Sequence, residues 1–239
     1  MGKQGNMKFV GTVDNLIYYK WKDIYAVRTK PVKVKQTKAS KQQSRLFGMA
    51  AHTGAVLRNL LKPALPDAKD RAMMRRLEQA MVQWLRSGAY STNEPQDNLS
   101  FITGFEFNEQ SVLTSRLKLP VTVTRTQQST VAVLIPQLQP VKDIAAPAGT
   151  KKVAVKLRVA ACSLANDNNM YCAGRVLNID YNDALIPVNK VELPVGLEGD
   201  NITVVMIALE YTVVKNRIEG VVKDKRWMPA GIIDARWTQ

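Results

Sequence analysis

The chain has 239 residues, 46% hydrophobic and 23% charged. That is long enough to bury a core without disulfide or metal staples, and it excludes globally disordered, collagen-like and disulfide-rich classes. The net charge of +14 is uneven: the first fifty residues hold eleven basic and two acidic side chains, and no acid occurs between Asp23 and Asp67.

Residues 7–29 read as a three-stranded β-meander, with Met7–Val13, Leu16–Trp21 and Ile24–Thr29 separated by the turn pairs Asp14-Asn15 and Lys22-Asp23. It is dense in large rings: Phe9, Tyr18, Tyr19, Trp21 and Tyr25. A free meander of this size is marginal, so the rings are expected to pack on the rest of the chain or on a partner. Residues 30–39 alternate lysine with Val32 and Val34 after Pro31, which is strand periodicity in a basic arm. Together residues 1–39 form the first expected segment.

An αα-hairpin is expected over 40–90. Ser40 and Gln43 have capping-box spacing. Leu46, Met49, Ala50, Val56, Leu57, Leu60 and Leu61 recur at helical spacing until Pro63 and Pro66. Asp67 is the expected cap of a second helix whose apolar face is Met73, Leu77, Ala80, Met81, Trp84 and Leu85, with Gly88 beyond its end. The connector Lys62-Pro63-Ala64-Leu65-Pro66 is longer than the tight turn of a DNA-reading helix-turn-helix.

The polar stretch 91–100 reads as a boundary, and beyond it the apolar period falls to two. Strands are expected over Leu117–Val123, Val131–Ile135, Val153–Val159, Leu177–Tyr181, Val205–Val213 and Ile218–Val222. The run at 205–213 is apolar on both parities, the mark of a central strand. The fold class is therefore mostly β with a small α portion: meander, αα-hairpin, and an antiparallel β-sandwich over 97–239 of immunoglobulin-like or jelly-roll type.

Little points to catalysis. His52 is the only histidine, with no nucleophile motif beside it, and reads as a surface or packing residue. Neither common phosphate cradle, G-x-G-x-x-G or G-x-x-x-x-G-K-[ST], occurs. Cys162 and Cys172 flank one hairpin connection and share a parity; a bridge is geometrically open, and reduced thiols are the reading adopted. Asn166–Asn169 lacks calcium-loop spacing and reads as a turn. Met1-Gly2-Lys3-Gln4-Gly5-Asn6 has no apolar leader core, and no run reaches the ~18 apolar residues of a spanning helix. A location in the cytoplasm or within an assembled particle, away from membrane, is expected. No cofactor, metal or catalytic residue is expected.

The segment Tyr18-Tyr19-Lys20-Trp21-Lys22-Asp23, then Arg28-Thr29-Lys30-Pro31, then Thr37 and Ser40-Lys41-Gln42-Gln43-Ser44-Arg45-Leu46-Phe47-Gly48 resembles the opening of an uncharacterised group of bacterial proteins. Those chains share a strand, an R-x-x-P turn and a T-x-x-S start followed by Gln, Arg and Phe, ahead of a β-rich domain. They look like structural components derived from phage or mobile elements. The resemblance covers about 40 residues, brings no catalytic residues, and implies a role in assembly.

The expected function is that of a non-enzymatic structural protein that associates with itself as an oligomer or filament. Phe9, Tyr18, Tyr19, Trp21, Tyr25, Val32 and Val34 are the candidate subunit contacts. One alternative is sequence-independent nucleic-acid binding by the basic segment 20–62, with Arg28, Lys30, Lys33, Lys35, Lys38, Lys41 and Arg45 on phosphates. A second is a carbohydrate-binding or adhesion-type sandwich.

Overall fold

The computed structural model describes residues 2–4, 8–31, 35–65, 70–87, 99–126, 130–164, 169–197, 199–215 and 217–238. Across these the protein is mostly β, with three antiparallel sheets and a few helices. It divides into two compact units, Met1–Gln42 and Gln43–Gln239.

The first unit holds β1 (Gly2–Lys3), β2 (Gly11–Val13), β3 (Leu16–Trp21) and β4 (Ile24–Thr29), in the sheet order β1-β4-β3-β2. The expected meander is present with a shorter first strand: Lys8–Val10 are described but are not part of a strand, pairing starts at Gly11, and Met7 lies outside the described residues. β1 was not legible in sequence because it contributes only two residues, paired with Ala26 and Val27. Both turns use the left-handed region, with Asp14 at φ 48° and Lys22 at φ 56°. Asp tolerates that region through local hydrogen bonding; Lys22 has no such help.

Helix α1 (Lys38–Leu61) begins two residues before the expected Ser40. Thr37, not Ser40, acts as its cap: the Ser40 amide donates to Thr37 Oγ1 at 3.2 Å. Of the segment expected to be an extended arm, Lys30, Pro31 and Lys35–Thr37 are in no strand, and Lys38 and Ala39 are helical. Val32, Lys33 and Val34 lie outside the described residues.

In the second unit α1 ends at Leu61 and passes into a single 3-10 turn at Lys62–Ala64, where Pro63 has no amide to continue the α-helical ladder. Helix α2 (Arg71–Arg86) then runs back, and Arg86 Nη2 donates to Gln43 Oε1 at 3.0 Å. Its cap is Asp70 rather than Asp67: the Asp70 carboxylate accepts from the Ala72 amide at 2.8 Å. Asp67, Gly88 and most of the polar stretch 91–100 fall outside the described residues.

The β body comprises α3 (Leu113–Arg116), β5 (Thr122–Thr126), β6 (Thr130–Ile135), α4 (Pro140–Asp143), β7 (Thr150–Ser163), β8 (Met170–Asp180), β9 (Asn189–Pro194), β10 (Asn201–Lys215), β11 (Ile218–Val221) and β12 (Ala230–Thr238). A five-stranded sheet runs β11-β10-β7-β8 with β12 also on β10, and a three-stranded sheet runs β5-β6-β9. The strand expected over Leu117–Val123 is corrected. Pro120 has no ladder donor, so Leu117 makes only an isolated bridge to Ile144 and regular pairing starts at Thr122. β9 and β12 were not anticipated.

β10 is the central strand that its sequence announced, buried on both faces. Its odd residues Val205, Ile207, Leu209 and Tyr211 share one core with Val153–Val159 of β7 and with β6 and β9. Its even residues Ile202, Val204, Met206 and Ala208 share a second core with Leu57, Leu61, Leu77, Met81 and Trp84. The helical hairpin and the β body, separated in the sequence reading, thus meet in one core. The outer side of β12 is covered by residues 99–107, where the Leu99, Gly104 and Phe107 amides donate to Ala235, Ile232 and Ala230.

Candidate interaction surface

Sheet register sorts the rings of the first unit. Tyr18 and Tyr25 lie on one face with Leu16, Lys20 and Val27, and Tyr19 and Trp21 lie on the other with Ile17, Ile24 and Arg28. Phe9 packs edge-on against Tyr18, with centroids 5.4 Å apart. Gly11 makes that contact possible: its φ is 154°, and a Cβ there would lie 3.0 Å from the Phe9 ring. Gln4 ties the Phe9 segment down, its side chain exchanging hydrogen bonds with the Phe9 amide and carbonyl at 2.9 Å each.

Cations lie over the remaining rings. Lys8 and Lys20 sit over Tyr25 at 5.6 and 5.7 Å, Lys22 over Trp21 at 5.5 Å, and Arg28 over Tyr19 at 5.5 Å. Such pairs contribute about 0.5–1 kcal/mol each at exposed sites. Even so, the sheet buries little. Ala26 is the only buried hydrophobic residue among the described residues of this unit, while Phe9, Val10, Val13, Leu16, Trp21 and Ile24 are exposed, Trp21 by 54%. Tyr18, Tyr19 and Tyr25 are half-buried.

The basic candidates Arg28, Lys30, Lys35, Lys38, Lys41 and Arg45 are all exposed, and Lys33 lies outside the described residues. Lys38, Lys41 and Arg45 fall on α1, at spacings that put them near one face.

A second feature escaped the sequence reading because its residues are far apart in the chain. A cleft of about 520 Å³ opens beside the end of α1 and is lined by Lys62, Lys156, Lys223, Lys225, Glu210 and Trp227 among others. Lys156 is paired with Glu210 at 2.6 Å. Arg116 stacks on Trp227 at 3.9 Å.

The chemistry of the titratable groups is quiet. Among the described residues no cluster of His, Cys, Asp or Glu has the makings of a metal site. His52 is exposed. Cys162 and Cys172 are both free thiols and are not opposite one another: Cys162 pairs with Met170, and Cys172 with Ala160. Burial pushes the Cys162 thiol up to about 12. Cys172 Sγ accepts from Arg158 and donates to the Leu60 carbonyl at 3.2 Å. Burial raises Glu106 above the usual carboxylate range, against the opposing pull of the Leu113 amide and Arg76. Asp224 is lowered by its hydrogen bonds from Arg226.

No protein-family model, curated protein or solved structure matches this chain. No helix among the described residues is long and apolar enough to cross a membrane.

Proposed function

We propose that this is a non-enzymatic structural protein that associates with copies of itself through the aromatic sheet of its first unit. The supporting observation is that unit's exposure: among its described residues six large apolar side chains, four of them on the strands, face solvent and only Ala26 is a buried hydrophobic residue. A tryptophan ring offers 150–250 Å² to burial. With about half of Trp21 open, covering it is worth about 2–3 kcal/mol at ~25 cal/mol per Å². Trp21 and Ile24 share one face with Tyr19, and Val13 and Leu16 lie on the other, so the sheet offers apolar surface for a contact on each side. The resemblance of the opening segment to phage- or mobile-element-like structural proteins points the same way. For the body, the core shared by the three- and five-stranded sheets supports a β-sandwich, of immunoglobulin-like or jelly-roll type, with the helical hairpin as an added outer layer.

The test is Trp21→Ala with Tyr19→Ala in the full chain, followed by light scattering at tens of micromolar. Weaker association at unchanged melting supports the reading; unchanged association refutes it.

The acid-free, exposed row of Arg28, Lys30, Lys35, Lys38, Lys41 and Arg45 favours a second reading, sequence-independent nucleic-acid binding. Against it, Tyr19, Trp21 and Tyr25 already carry cations over their rings, which leaves less room for bases to stack. The carbohydrate-binding alternative gains no support. Trp227 is stacked by Arg116 and Trp237 is buried, so neither offers an open ring platform.

A further inference from the structure

Two features of the second unit complement one another. The first is the lysine-lined cleft. The segment that carries Lys223 and Lys225 is held in place from several sides. Asn108 Nδ2 donates to the Lys225 and Met228 carbonyls at 2.6 and 3.0 Å, Arg116 Nη2 donates to the Arg226 carbonyl at 2.9 Å, and Asp224 accepts from the Arg226 amide at 3.0 Å. Glu210 neutralises Lys156 alone, and among the described residues Lys62, Lys223 and Lys225 form no salt bridge. The walls between the lysines are apolar, with Leu65, Val222 and Met228. The cleft is therefore built for something acidic with an apolar side.

The second feature is the connection from β8 to β9. Asp180 ends β8, opposite Lys152 of β7 but without a salt bridge to it among the described residues, and Asp183 follows in the connection, which has no basic residue before Lys190. Leu185 and Val188 project from it, 64% and 58% exposed. A mobile loop would not hold such side chains out in a fixed place, but this one is braced. Ile186 exchanges both backbone hydrogen bonds with Leu138, Asn182 Oδ1 accepts from the Ala184 amide at 3.0 Å, and Gln139 Nε2 donates to the Asp183 carbonyl at 3.2 Å. The loop is acidic, apolar at its tip, and preorganised, which keeps the ordering cost of a contact low.

The strand order puts these features at opposite edges of the five-stranded sheet. The cleft spans Lys156 of β7, Ala208–Glu210 of β10 and the segment after β11, whereas the loop follows β8 at the other edge and is tied down to Leu138 and Gln139. One chain does not reach its own cleft with its own loop. We propose that the Asp180–Val188 loop of one copy seats in the Lys62, Lys223 and Lys225 cleft of the next, a head-to-tail contact that grows as an open chain or closes as a ring. This rests on the self-association reading and adds to it a second, heterologous interface with opposite charges facing each other.

The test uses the full chain and charge reversal, read by sedimentation velocity at tens of micromolar and low salt. Lys223→Glu with Lys225→Glu, and separately Asp180→Lys with Asp183→Lys, should each weaken growth beyond the smallest oligomer by about tenfold or more, with melting temperature unchanged. Mixing the two variants should restore growth, because each reversed loop then meets a reversed cleft. Wild type that associates while both variants behave like it overturns this inference alone, as does a mixture that stays dissociated. A cleft variant that loses only the binding of a nucleic acid or of a small anion such as citrate also overturns it. A monomeric wild type overturns both this contact and the self-association reading.

Discussion

At the residue scale, a few side chains hold their surroundings by contacts that single substitutions expose. Gly11 accommodates the Phe9 ring, and a Cβ at φ 154° and 3.0 Å from that ring meets both strain and a clash. Gly11→Ala should move Phe9 off Tyr18 and cost the first unit about 1–3 kcal/mol, seen as faster hydrogen exchange of the β2 and β3 amides. Protection that stays at the wild-type level would show that the Phe9–Tyr18 contact contributes nothing. Cys162 is buried with its thiol pushed up to about 12, so it holds essentially no thiolate at neutral pH. A disulfide reagent at pH 8 should leave it intact in the folded protein and modify it only after denaturation; peptide mapping that finds it labelled in native protein contradicts this. Glu106 has a folded pKa raised by burial. The folded state then holds its proton at pH values where the unfolded chain has lost it, so stability declines as pH rises from the ordinary glutamate range through the raised value. Glu106→Gln should flatten that part of the melting-temperature profile without lowering stability at pH 7. A profile as steep as wild type would assign the slope to another group.

At the element scale, the helical hairpin and the five-stranded sheet share one core. Trp84 shows its weight: it is 1% exposed and packs on Trp237 of β12 at 5.6 Å. Trp84→Ala should cost about 3–5 kcal/mol in chemical denaturation, and a loss under 1 kcal/mol would mean that the hairpin is only loosely seated. For the same reason a fragment of residues 97–239 leaves Ile202, Val204, Met206 and Ala208 without the helices that cover them. The amphipathic face of α2 and the double parity of β10 were both legible, because each is a periodicity within one segment. That the even parity of β10 belonged to the hairpin was not legible, since period alone does not say which apolar faces meet. The break at 91–100 marks a change of period and says nothing about the core. β1 and β12 escaped for local reasons: one has two residues, and the other opens on Ala230-Gly231, weak in β-propensity. Of the candidate surface, the ring-rich meander was legible, whereas the lysine cleft, assembled from four separate segments, was not.

At the scale of the whole molecule, charge and apolar exposure make different demands on a partner. The basic segment attracts polyanions at long range, and that attraction is screened within about 8–10 Å at ordinary salt. If five of its residues met phosphates, the log–log salt slope of nucleic-acid binding should be about −3.5 to −4.5, steeper for duplex than for single strands; binding that survives 0.5 M salt and discriminates between sequences would contradict this. The exposed rings of the first unit call for a different partner, because apolar burial strengthens rather than weakens as salt rises. The most direct measurement of the self-association claim is therefore the mass in solution of the full chain and of a chain lacking residues 1–39, by light scattering at tens of micromolar. An oligomer is expected for the full chain and, for the truncated chain, loss of most of that mass with the melting of the second unit preserved. A truncated chain that assembles like the full one, or a full chain that is a clean monomer, would contradict it.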